Sequence, residues 1–163
     1  MKATILFGDR QLYFWLHQLT RSKAFASLMR IVTIFGETSV GVVYFFIMVI
    51  LANVNNNEVA LKGAMGMLVS QMIVHTIKRV VHRRRPYTTM DVASVNNPPK
   101  CIYSFPSGHT ACAFSVALGV SKMLPELTFI MFFLAILTGL SRIALGYHYP
   151  TDVIFGAIIA IIW

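Results

Sequence analysis

Apolar residues run along this chain in long blocks separated by short polar stretches, and the block lengths predict helices that cross a membrane. The first block, residues 8–24, is mixed: Leu12, Phe14, Trp15, Leu16 and Leu19 are interleaved with Arg10, His17, Arg21 and Lys23. That pattern is too polar to cross and suits an interfacial helix. From Ile31 to Ala52 only Gly36, Glu37, Thr38 and Ser39 interrupt the apolar run, which predicts a first crossing carrying one carboxylate. Val59 to Arg84 predicts a second helix. Its charge-free core, Gly63 to Ile77, is only about 22 Å long against a hydrocarbon thickness of roughly 30 Å, so its basic end belongs at or just inside the interface. Arg85-Pro86 is expected to stop it, because a residue before proline is pushed out of helical conformation. Tyr87 to Phe105 then reads as a loop, with its clearest turn at Asn96-Asn97-Pro98-Pro99.

Pro106 is expected to open a third helix, free of charge through Ser121. Leu124-Pro125-Glu126 makes a short turn, Leu127 to Leu145 a fourth helix, and Gly146 a stop. Pro150 stands where a first-turn proline belongs, and Thr151 to Trp163 predicts a fifth helix of ~20 Å. Since that is short of a crossing, either the natural chain continues past Trp163 or this helix is half-length and packed against its neighbours. The prediction is one domain over residues 1–163, an all-α integral membrane bundle of about five transmembrane helices plus an N-terminal interfacial helix.

Composition agrees. Hydrophobic residues make up 56% of the 163 positions and charged ones 12%, about half the charge of a water-soluble domain. The net charge of +8 would suggest nucleic acid in a soluble protein; among membrane blocks it points instead to anionic headgroups or phosphate, so a lipid phosphate and the bilayer are the expected partners and nucleic acid is not. The composition leaves the oligomeric state open. Cys101 and Cys112 make no disulfide framework.

The hairpin order places four helix ends on one membrane face, and those ends hold the unusual residues. Lys78, His82 and Arg85 are spaced i, i+4, i+7, one helical stripe suited to a polyanion; the same residues, with Arg79, Arg83 and Arg84, also read as a juxtamembrane basic cluster touching lipid phosphates. Ser107-Gly108-His109 follows Pro106 at a helix start, where free amides, the dipole and a hydroxyl converge, or where a serine simply caps a helix. Arg142 falls in the last turn of the fourth helix. His148 precedes Asp152 by four residues, a spacing that suits a carboxylate-oriented imidazole or a structural pair. Glu37 and His82 are candidate headgroup contacts; a bundle contact for Glu37 and a surface position for His82 are the plainer readings.

Taken together, Lys78-x6-Arg85-Pro86, Pro106-Ser107-Gly108-His109 and Ser141-Arg142-x5-His148-x3-Asp152 resemble the three-part signature of the type 2 phosphatidic acid phosphatase superfamily, over residues 78–152. The resemblance implies a phosphohydrolase that needs no metal and no cofactor and works through a covalent phosphohistidine. His148 would be the nucleophile, Asp152 its orienting partner, and His109 the acid for the leaving group. Lys78, Arg85, Ser107, Gly108 and Arg142 would hold the phosphoryl oxygens. The implied substrates are lipid phosphates and diphosphates: undecaprenyl diphosphate is the expectation, with phosphatidylglycerol phosphate or phosphatidic acid as alternatives. A lipid-binding or transport bundle without turnover is the competing class, and the intact His109, His148 and Asp152 speak against it.

The side of the membrane is contested. The resemblance implies an extracytoplasmic site in a bacterial cell membrane. The positive-inside rule implies the opposite: Lys2, Arg10, Arg21, Lys23, Arg30, Lys78, Arg79, Arg83, Arg84, Arg85, Lys100 and Arg142 fall on the active face, against Lys62 and Lys122 on the other. The outer face is retained as the expectation because binding-site cations inflate the count.

Overall fold

The computed structural model describes residues 7–18, 22–89 and 101–162. The described residues form helices α1 (Phe7–Gln18), α2 (Lys23–Val32), α3 (Thr38–Val54), α4 (Glu58–Val81), α5 (Pro86–Thr89), α6 (Gly108–Met123), α7 (Thr128–Ala144) and α8 (Pro150–Ile161). Among them there is no strand, and α3, α4, α6, α7 and α8 are the five segments of the expected bundle.

At its centre, α6 packs against α4, α7 and α8. Sequence explains the position: Thr110, Ala111, Cys112, Ala113, Ser115, Ala117 and Gly119 are small and buried, and small side chains let backbones approach where lipid supplies no hydrophobic drive between helices. Ser70 of α4 and Ser115 of α6 share a hydrogen bond of 3.0 Å across that contact. The outward faces are apolar, with Val43, Phe46 and Ile50 of α3, Met65 and Met72 of α4, Phe129 and Phe133 of α7, and Ile154 and Ile158 of α8 all exposed. Such a belt costs free energy in water and none in hydrocarbon.

Several boundaries differ from the sequence reading. The predicted first crossing is two helices: a 3-10 turn at Thr33–Gly36 separates α2 from α3, and Glu37 sits at the break in extended conformation instead of inside a helix. Gly36 lies so tightly against the His109 carbonyl and Thr138 that a side chain there would overlap both. The interfacial stretch is likewise divided, α1 ending at Gln18 and α2 beginning at Lys23, with residues 19–21 outside the described ones. Helix α4 stops at Val81, not Arg84, because His82 takes a left-handed conformation (φ 50°) as its C-cap. The third helix starts at Gly108, after a cis Phe105–Pro106 peptide bond, and Ser107 is its N-cap. The loop after Arg85 opens with the short α5; residues 90–100, including Asn96-Asn97-Pro98-Pro99, lie outside the described ones, as does Trp163. Gly146 (φ 80°) and Pro150 stop α7 and start α8 as predicted.

Candidate active site

Four helix ends meet at one cavity of about 430 Å³. Its polar wall is Lys78 from the end of α4, Arg85 from the loop after it, Gly108 and His109 from the start of α6, Arg142 from the end of α7 and His148 from the α7–α8 loop. Its apolar wall is Val42, Phe45 and Phe46 of α3 and Met67, Leu68 and Val74 of α4.

Each polar side chain is fixed by the backbone around it. Lys78 donates from Nζ to the Tyr103 carbonyl at 3.1 Å. Arg85 cannot lie on the predicted stripe, since the helix has ended. Instead the loop aims it inward, where Nε donates to the Cys101 carbonyl at 2.8 Å and Nη1 to the Tyr147 carbonyl at 2.9 Å. Arg142 is buried, donates from Nη1 to Thr33 Oγ1 at 2.9 Å, and rests on the Tyr147 ring, with Nε unpartnered among the described residues. Three cations thus face one cavity, an arrangement that repels itself unless an anion joins it.

His148 is fully enclosed, its amide held by the Arg142 carbonyl at 3.2 Å. Arg85 Nη1 lies 3.1 Å from Nε2 of His148. A guanidinium can only donate, so Nε2 accepts and the ring proton is on Nδ1. Nδ1 faces Asp152 Oδ2 at 3.4 Å. Burial, then the neighbouring Arg85, Lys78 and Arg142, push the imidazole well below its ordinary pKa and keep it neutral. The Asp152 carboxylate is anchored too, Oδ2 accepting the Tyr149 amide at 2.9 Å and Oδ1 taking Arg83 at 2.6 Å.

The turn before α6 is bound to α8. The Ser107 amide donates to the Asp152 carbonyl at 2.9 Å, and Gly156 packs so closely that a Cβ would lie 2.6 Å from the Ser107 carbonyl. Ser107 Oγ accepts from Thr110 Oγ1 at 2.9 Å and lies behind the cavity wall that Gly108 and His109 form. Two candidates stay apart from the others. His82 is exposed, its ring edge-on to Tyr103 at 4.6 Å, because the left-handed cap turns it away from Lys78 and Arg85. Glu37 is exposed beside the cavity, while Gly36 and Thr38 on either side of it line the wall.

Sequence reasoning missed Asp9, Arg83 and Thr151, which join Asp152 in a buried ionic group. Arg83 is one of three consecutive arginines, and nothing in the run distinguishes it. Asp9 had a signal, being the one carboxylate before Glu37. It also missed His17, which reaches the Ala144 carbonyl at 2.8 Å and docks α1 on the end of α7.

Residues 59–163, which supply Lys78, Arg85, Gly108, His109, Arg142 and His148, match the PAP2 superfamily. The chain belongs to that superfamily. Decaprenylphosphoryl-5-phosphoribose phosphatase of Mycobacterium tuberculosis is 33% identical over 124 residues, which are 75% of this chain and 67% of that protein. Undecaprenyl-diphosphatase BcrC of Bacillus subtilis is 30% identical over 100 residues, 61% of this chain and about half (49%) of BcrC. Among solved structures, Aquifex aeolicus LpxE superposes with a TM-score of 0.82 at 25% identity, covering 99% of this chain and 95% of that one. Membership in PAP2 makes the chain a hydrolase of lipid phosphate esters and its helical bundle a membrane fold, as the sequence signature implied.

Proposed function

We propose that this chain removes phosphate from a polyprenyl-linked lipid at the outer face of a bacterial membrane, with undecaprenyl diphosphate as substrate and a phosphohistidine on His148 as intermediate. One observation carries the reading: His148, with Arg85 held against its Nε2, lines a cavity with three cations at one end and α3–α4 hydrocarbon at the other. A phosphoryl group fits the first end and a prenyl tail the second.

The chemistry follows from the geometry. An arriving phosphoryl group offers its oxygens to Lys78, Arg85, Arg142 and the Gly108 amide, and draws the Arg85 guanidinium from the His148 lone pair. Nε2 then forms a bond to phosphorus as the phosphorus–oxygen bond to the leaving group breaks, and His109 gives that oxygen its proton. Asp152 faces the Nδ1 proton as positive charge builds on the ring. Water next attacks phosphorus, His109 takes the water's proton, and the phosphorus–nitrogen bond breaks to release inorganic phosphate and neutral His148. Spread negative charge meeting preorganised donors is the main source of rate in phosphoryl transfer.

A second reading, a polyprenyl lipid whose phosphate is carried on a sugar, is favoured by Gln71. Its Nε2 is buried in the cavity wall without a hydrogen-bond partner among the described residues, a donor suited to a ring hydroxyl or ether oxygen. The outer-face assignment rests on the family signature; Lys78, Arg85 and Arg142 belong to the site and Arg83 to its ionic group, so none of the four should count toward the positive-inside rule. The test is phosphate release in detergent with EDTA from undecaprenyl diphosphate, undecaprenyl phosphate, a polyprenylphosphoryl sugar phosphate, phosphatidylglycerol phosphate and phosphatidic acid. Preference for undecaprenyl diphosphate supports the proposal, preference for the sugar phosphate supports the second reading, and preference for a glycerolipid overturns both.

A further inference from the structure

We propose that Asp9 and Arg83 form a positioning pair for catalysis, through which the N-terminal helix α1 holds the Asp152 carboxylate in line with His148. The proposal rests on the reading of His148 as nucleophile.

Arg83 lies outside the signature positions, and neither it nor Asp9 lines the cavity. Both are nonetheless buried, at 7% and 4% exposure. One guanidinium serves two carboxylates: Nη1 lies 2.6 Å from Asp152 Oδ1, and Nη2 lies 2.6 Å from Asp9 Oδ2. Thr151 closes the ring. Its hydroxyl accepts from Arg83 Nη1 at 2.7 Å and donates to Asp9 Oδ2 at 2.6 Å, while its amide donates to Asp9 Oδ1 at 2.9 Å. The Tyr149 ring lies under the guanidinium at 4.2 Å. Both oxygens of Asp152 are therefore committed, Oδ1 to Arg83 and Oδ2 to the Tyr149 amide, so the carboxylate cannot rotate away from Nδ1 of His148 without breaking one of them.

Charge gives the pair a second effect. Two carboxylates and one guanidinium leave a net charge of −1 behind the imidazole. Neutralising Asp9 would leave Arg83 and Asp152 to cancel, and no net negative charge would face the positive charge that grows on His148 as it bonds to phosphorus. A buried ion pair serving only to fasten α1 to the bundle would stabilise the fold and leave turnover per folded molecule unchanged. The three groups meet under one catalytic carboxylate, which fastening alone does not require.

The experiment uses the full chain in detergent, with kcat and KM measured on the lipid that the wild type hydrolyses and the thermal unfolding midpoint measured alongside. Asp9→Asn should lower kcat about tenfold or more, with KM within about twofold of wild type, since partners that orient a catalytic group typically contribute on this scale. Thr151→Val, which removes only the bridging hydroxyl and keeps the volume, should lower kcat less and in the same direction, and it remains informative if Asp9→Asn fails to fold. Arg83→Lys, which keeps the charge but not the two-pronged geometry, should fall between Thr151→Val and Asp9→Asn. Wild-type kcat per folded molecule in Asp9→Asn or Thr151→Val would overturn the proposal, as would a rise in KM at constant kcat. His148→Ala separates the failures: if it keeps its activity, the nucleophile reading fails and takes the positioning pair with it, whereas an inactive His148→Ala beside a fully active Asp9→Asn overturns the pair alone.

Discussion

His148, in the cavity wall, turns Nδ1 toward Asp152 Oδ2 at 3.4 Å and Nε2 toward Arg85 Nη1 at 3.1 Å. The ring is thereby divided into a proton-bearing side and a lone-pair side, with the division enforced by Arg85, which can only donate. The 3.4 Å separation is long for a hydrogen bond, and Nδ1 has no closer acceptor among the described residues. Such contacts tighten when the reacting group takes on charge.

Asp152→Asn keeps the shape but can present its amide to Nδ1 and favour the wrong tautomer. The expected loss in kcat is about a hundred- to ten-thousandfold, with KM little changed, measured by steady-state phosphate release.

Gly156→Ala should damage the site from a distance. Its new methyl group would meet the Ser107 carbonyl at 2.6 Å, moving the turn that carries Gly108 and His109. A cost of about 1–3 kcal/mol is expected from the overpacking, seen as a lower unfolding midpoint, together with reduced kcat in the fraction that stays folded.

Acid should weaken the fold through His148. Its folded pKa lies well below the ordinary value of 6.5, so below about pH 6.5 the unfolded chain binds a proton that the folded chain does not. Stability then rises with pH up to that point and falls beneath it, by up to about 1.4 kcal/mol per pH unit for this one group. Unfolding midpoints between pH 7 and pH 5 should fall more steeply for the wild type than for His148→Asn.

Much of the bundle was legible in the sequence because membrane helices announce themselves by block length and by proline and glycine at their ends; Gly146 and Pro150 did both. The break at Thr33–Gly36 was not, because its cause is tertiary: Gly36 is needed where the chain crosses the His109 carbonyl, and no local pattern states that. The Lys78–Arg85 pairing was found for an incomplete reason. Helical periodicity suggested a stripe, whereas the His82 cap ends the helix and a loop delivers Arg85, leaving His82 outside. The signature located the cavity wall, and the support behind it was silent because Asp9 and Arg83 are separated by 74 positions.

Orientation can be read with a residue the chain already has. Cys101 is exposed and lines the cavity, while Cys112 is buried. A membrane-impermeant maleimide should label Cys101 in intact cells if the site faces outward. Labelling only after the cells are opened would place the site in the cytoplasm, on the side of the charge count.

The central claim is a phosphoryl group carried on His148. It is tested most directly by mixing enzyme with substrate labelled in its terminal phosphate, quenching in alkali and locating the label by peptide mapping. The expected result is acid-labile, alkali-stable phosphate on His148 in the wild type and none in His148→Ala. Label on another residue, or wild-type turnover by His148→Ala, would contradict it.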